Sequence, residues 1–270
     1  MEKLIPKIPQ KVQSQFNNEY GRLMDMLLIS VDTEALKVMS VMVQYWSPTL
    51  KVFEFPNIDA APTIEEYEVL LDIQVPVRAK VYLFTGVQNV TEDLIEKLIE
   101  VRPCPSSIIK QGQAYGLRCK FLKKHIIQMA EEGKWDLFKP AFALATYGMV
   151  LFLFVHDMVD QAVIDLFSKF RLFDANPVPA ILAETLFSLQ RCPKKDSSIT
   201  NTQIGLDTPI EFQGHCSKTN AADRNFGTKT CLYERHPDIM YSCGEYPNMI
   251  LMGPRGCISF TPALVLGQLK

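Results

Sequence analysis

The residues best suited to chemistry gather near the middle of the chain. His156 and Asp157 are adjacent, His125 lies upstream, and Asp160 and Asp165 follow. Helical metal-dependent phosphohydrolases use a His, a His-Asp pair and a further Asp, because imidazole and carboxylate together hold a divalent ion that activates water. His125, His156 and Asp157 are therefore the candidate metal ligands. A two-residue motif arises readily by chance, and the plainer reading is preferred: polar residues closing a helix after a buried run.

Two other sets carry chemistry. His215, Cys216, Cys231, His236 and Cys243 are zinc-ligand types, but no C-x-x-C pair and no finger spacing is present, so loose cysteines in a polar insert describe them better. Arg118, Lys120, Lys123 and Lys124 can contact phosphate. Three lysines opposite an apolar stripe read first as a solvated face. Arg118 and His125 instead share a helical line with Leu122 and Met129, so one of them is expected to be buried against a carboxylate such as Glu184 or Asp165. No glycine-rich phosphate loop and no G-x-S-x-G elbow occurs. The expectation is a protein without catalytic residues, bound cofactor or firm metal site.

The element that must position everything else is residues 139–155. Between Pro140 and Val155 there is no charge, and the only polar side chains are Thr146 and Tyr147. A bilayer needs about 20 apolar residues. This run is shorter, is interrupted by Gly148 and is closed by charge at both ends, so a buried central helix of a core is expected, with no membrane span.

Before it, a helical signal covers residues 21–45, broken near Asp32, with Leu36, Met39, Val43 and Trp46 on one face. Residues 50–55 read as a brief strand or strap. Thr63 and Glu66 form a capping box, and Thr91 caps another helix. Residues 77–84 read as an extended connector. Residues 114–132 read as one amphipathic helix with Leu117, Phe121, Leu122, Ile126 and Met129 inside. After the central run, residues 158–170 read as a helix, Asn176-Pro177-Val178-Pro179 as a rigid corner, and residues 180–190 as a last helix.

At 270 residues and 47% hydrophobic, the chain can bury a full core. A net charge of −2 gives no global footprint for nucleic acid. Seven scattered cysteines favour a reducing interior. The fold class expected is mainly α: a multi-helix globular domain at residues 21–190 around a buried central helix, with a short extended strap. An irregular arm at 1–20, neither signal nor anchor, precedes it. A poorly ordered polar insert at 191–239 and a Cys-containing C-terminal segment at 240–270, packing on the core, follow.

Five stretches, taken in order, resemble the plant mobile domain family, in an uncharacterised, retroelement-associated branch. They are FEFPNIDAAPTIEEYEVLL at 53–71, GLRCKFL at 116–122, the run containing FALATYGMVLF at 138–152, NPVPAIL at 176–182, and SCGEYPNMILMGPRGCISFTPALVLGQL at 242–269. Thr63, Glu66, Tyr147, Gly148, Asn176, Pro177 and Pro179 are the structural residues singled out in them. Leu153 departs from the family's usual Pro, a Trp-containing helical segment is missing before residue 236, and the chain stops at Lys270 where relatives continue. The resemblance implies a helical, non-enzymatic interaction module in the nucleus that works through protein partners, in genome maintenance or silencing of mobile elements. Some relatives are labelled aminotransferase-like, but no site for a pyridoxal cofactor is visible. The alternatives are a metal-dependent helical phosphohydrolase using His125, His156 and Asp157, and a degenerate transposon remnant.

Overall fold

A computed structural model describes residues 1–29, 33–73, 80–82, 90–112, 114–152, 155–191, 242–243, 246–247, 249–254 and 256–260. The chain begins with a 3-10 turn at Glu2–Lys7 and helix α1, Gln10–Tyr20. The irregular arm expected at 1–20 is thus a docked helix. Pro9 stands at its N-cap, where a missing N–H costs nothing, and Val12, Phe16 and Tyr20 recur every fourth residue on the buried face. Lys139 Nζ donates to Glu19 Oε1 at 2.5 Å and ties α1 to the centre of the molecule.

Helix α2 spans Leu23–Met26 and α3 spans Thr33–Met42. The break expected near Asp32 lies outside the described residues. Of the apolar face expected here, Leu36 is half-buried and Met39 exposed, while Val43, just past the helix, packs partly on the core and Trp46 is buried in it. Trp46 belongs to β1, Trp46–Ser47, which pairs antiparallel with β2, Val52–Phe55, and β2 pairs with β3, Ile58–Ala60. The strap at 50–55 is therefore the centre of a three-stranded sheet.

Helix α4, Ile64–Leu71, starts at the expected capping box: Thr63 Oγ1 accepts from Glu66 N, and Glu66 Oε2 accepts from Thr63 N, both at 3.0 Å. Of the connector at 77–84, residues 80–82 are described. They carry β4, Lys80–Val81. Helix α5, Glu92–Ile99, is capped by Thr91.

Residues 114–132 are not one helix. Strands β5, Ile108–Gln111, and β6, Ala114–Arg118, form a hairpin, and only then does α6, Cys119–Glu131, begin. Gly112 turns the chain at φ 62°, a conformation suited to glycine. Gly116 lets strand β7, Met158–Asp160, approach β6; a Cβ there would sit 2.2 Å from Val159 O.

The central element is α7, Trp135–Thr146, continued by a π-helical turn at Tyr147–Leu151. Every residue from Phe138 to Gly148 is buried. Each large apolar side chain so buried contributes about 1.5–3 kcal/mol. Phe152 N closes the π-turn on Tyr147 O at 2.9 Å, and Gly148 admits Val159 where a Cβ would meet its methyls at 2.6 Å. No helix among the described residues is long and apolar enough to cross a membrane.

The helix expected at 158–170 starts later. After β7, Asp160 caps α8, Gln161–Phe173, by accepting from Ala162 N. Strand β8, Ala175–Asn176, runs parallel to β4. At the Pro corner, Asn176 Oδ1 accepts from Val178 N and its Nδ2 donates to Glu68, both at 2.9 Å, and α9, Val178–Arg191, follows. Short strands β9, Ser242–Cys243, and β10, Tyr246–Pro247, pair with each other. Strands β11, Met249–Gly253, and β12, Gly256–Phe260, form a hairpin packed on α9. The polar insert expected at 191–239 lies outside the described residues, save Arg191.

The fold is mainly helical, with nine α-helices among the described residues and five small sheets, four antiparallel and one parallel. Two apolar clusters fill it. One surrounds α7 with α1, α5, α6 and α8; the other joins Trp46, Val52 and Phe53 to α9 and the β11–β12 hairpin. Ile64 and Tyr67 of α4 touch both.

Candidate functional site

Among the described residues the interior holds a polar cluster that no single stretch announces. Asp165 lies on the buried face of α8 and is 1% exposed. Strand β4 delivers Tyr82, whose hydroxyl donates to Asp165 Oδ2 at 3.2 Å; Oδ1 is buried without a hydrogen-bond partner. Burial raises the Asp165 pKa above the usual carboxylate range, partly opposed by Lys169 and by the Tyr82 bond. Tyr82 is raised by burial first, then by Asp165, with Glu184 on α9 adding to it. Asp165, Tyr82 and Glu184 are all sealed from solvent. Such a group pins β4 to α8.

His125 is buried on the inner face of α6, its Nε2 has no hydrogen-bond partner, and burial lowers its pKa, partly opposed by Glu132. His156 and Asp157 are exposed in the turn before β7, where Asp157 takes a left-handed φ of 59°. Among the described residues no three His, Cys, Asp or Glu side chains come together to hold a metal ion, and these three are no exception. The pairing expected for a buried Arg118 or His125 with Glu184 or Asp165 does not form. Arg118 is only half-buried, and the electrostatic partner of His125 is Glu132, at its own helix end.

Of the zinc-type set, His215, Cys216, Cys231 and His236 lie outside the described residues, as does the side chain of Cys243. Cys257 on β12 is disulfide-bonded. The cysteines are therefore not all loose thiols, and their scatter no longer argues for a reducing compartment. Cys119 is buried, and burial pushes its thiol up to about 11.

Cys104, by contrast, is exposed and lies 3.2 Å from Ser106 Oγ and 2.9 Å from Ser107 Oγ, contacts that lower its pKa. Sequence reading passed over Cys104 and Tyr82. The Cys-Pro-Ser-Ser run carries a local signal for the first, but nothing near Tyr82 signals the second.

Two features stand out among the described surface residues. Lys120, Lys123 and Lys124 are exposed on one face of α6. Helix α3 buries none of its residues, although Val38, Met39 and Val41 are 52%, 43% and 54% exposed. Leu28, Ile29 and Tyr45, on either side of it in the chain, are exposed as well.

These elements define a mainly helical domain. The family described as Domain of unknown function (DUF7745) matches residues 1–203 and 231–270. The chain belongs to that family. No curated protein and no solved structure matches it.

Proposed function

We propose that the chain is a non-enzymatic helical interaction module of the plant mobile domain type, which meets a protein partner on the exposed face of α3. The observation that carries the reading is the apolar surface of that helix. A helix of a globular protein normally buries its apolar stripe, and exposed apolar patches mark interaction sites. Val38 and Val41, with Tyr45 beyond the helix end, follow helical spacing i, i+3, i+7, the pattern by which a helix presents anchors to a groove. The five stretches that resemble the plant mobile domain family support a retroelement-derived origin. They also support a nuclear setting and a role in genome maintenance or transposon silencing.

A photo-crosslinking residue in place of Glu34, exposed one turn before Val38 on the same face, in the full chain expressed in its native cells, tests the site. The reading expects discrete protein adducts at position 34 and none from the same group at Lys11, which is exposed on α1. Adducts from both positions alike, or from neither, contradict it. Metal-dependent phosphatase turnover abolished by His125→Ala and His156→Ala would favour the hydrolase instead.

A further inference from the structure

We infer that the outer face of α6 and the hairpin that leads into it form a docking surface for the phosphate backbone of a nucleic acid. This goes beyond a protein-binding role for α3. Residues 101–130 contain no Asp or Glu, in a chain that otherwise carries 30 acids in 270 residues, or one in nine. The same thirty residues carry Arg102, Lys110, Arg118, Lys120, Lys123 and Lys124.

Their pairing separates them. Arg102 is held by Glu92, Asp93 and Glu96, and elsewhere Lys37, Lys134, Lys139 and Arg171 each meet a carboxylate. Lys110, Arg118, Lys120, Lys123 and Lys124 make no ion pair with a described residue. Lys110 instead lies over the Tyr115 ring, 5.0 Å from its centroid. Acids stand at the two ends of α6: the backbone oxygen of Asp157 accepts from Cys119 N at its start, and Glu132 accepts from Gln128 at its far end.

The position is unfavourable for the free protein. Lys120, Lys123 and Lys124 stand at i, i+3 and i+4 on an exposed face, so like charges repel. They also occupy the first turns of α6, which has no acidic residue there and no side-chain cap. The helix dipole adds positive potential at that end. Charge placed against both effects creates a local positive field on a chain whose net charge is −2.

The chemistry favours a nucleic acid over a lipid surface. One apolar side chain, Ile127, is exposed on the lysine face, too little for insertion at a bilayer interface. Tyr115 is exposed on β6, four residues or about 13 Å of strand before α6, where a ring can stack on an unpaired base.

The test is fluorescence anisotropy of the full chain with short labelled oligonucleotides, single-stranded and duplex, titrated with salt. A Lys120→Glu/Lys123→Glu/Lys124→Glu variant is compared with Lys7→Glu/Lys11→Glu as a charge control. The wild type and the control should bind with the same salt slope. The α6 variant should lose about 3 of those slope units on duplex, about 2 on single strands, and roughly 100-fold or more in affinity at 0.1 M salt. Because the glutamates suit the helix dipole, its Tm should stay level or rise, which separates lost binding from lost folding. Absence of salt-dependent binding by the wild type overturns the inference, as does an unchanged slope in the α6 variant. Binding to phosphatidylserine vesicles without binding to oligonucleotides overturns it in favour of a membrane surface.

Discussion

Tyr82 and Asp165 are 83 residues apart in sequence and meet at 3.2 Å inside the protein, the phenol donating to a carboxyl whose second oxygen is buried without a partner. The bond fastens the segment between α4 and α5 to α8.

The pair sets a pH dependence. Burial raises the folded-state pKa of Asp165 above its unfolded value. The folded chain therefore holds a proton that the unfolded chain releases. The resulting stabilisation is complete below the unfolded pKa, near 3.8, and is lost as pH rises through the folded pKa. Asp165→Asn cannot ionise. Denaturant melts should show the wild type losing stability relative to Asp165→Asn as pH rises from about 4 toward neutrality. Parallel profiles would contradict the assignment.

Lys139 and Glu19 give a second prediction. The Lys139 side chain is 9% exposed and that of Glu19 46%, and the other acid near the ammonium is Asp136, at 3.7 Å and open to solvent. Removing the acid strands a buried charge, whereas removing the lysine does not. Glu19→Gln should cost about 1–2 kcal/mol by chemical denaturation, and Lys139→Met should cost less. The reverse order would mean that the pair is solvated.

The glycines give a third. At Gly116 an added Cβ meets backbone, Val159 O at 2.2 Å, and the β6–β7 ladder must open; Gly116→Ala should cost about 2 kcal/mol or more. At Gly112 the space is open and only the φ of 62° resists, so Gly112→Ala should cost about 1 kcal/mol. Equal losses in thermal melts would place the strand contact wrongly.

These relationships show which parts of the fold were legible. The capping box at Thr63 and Glu66, the Asn176–Pro177 corner and the uncharged run of α7 are local patterns, and each appears where its residues stand. The β5–β6 hairpin was hidden because Leu117 sits four residues before Phe121 and so extends the helical period of α6 back into a strand. Val159, four before Val163, masked β7 in the same way. In both cases pairing with a distant strand decides the outcome, and periodicity cannot see it. Helix α1 was misread because Pro6 and Pro9 look like breakers, though Pro9 only opens the helix. Around α3 the face of Leu36, Met39, Val43 and Trp46 is covered progressively toward Trp46, and spacing does not say how far a face is covered. Tyr82 and Asp165 share no local pattern, so nothing in the sequence joined them.

The central claim is that the exposed face of α3 binds a protein, and one paired measurement tests it most directly. Val38→Asp/Val41→Asp is compared with the wild type for Tm and for recovery of the proteins crosslinked through position 34. Because both valines are more than half exposed, stability should change by less than about 0.5 kcal/mol, while recovery of the partner is lost. Retained partner at unchanged Tm, or a fall in Tm of the size a core substitution causes, would contradict the account.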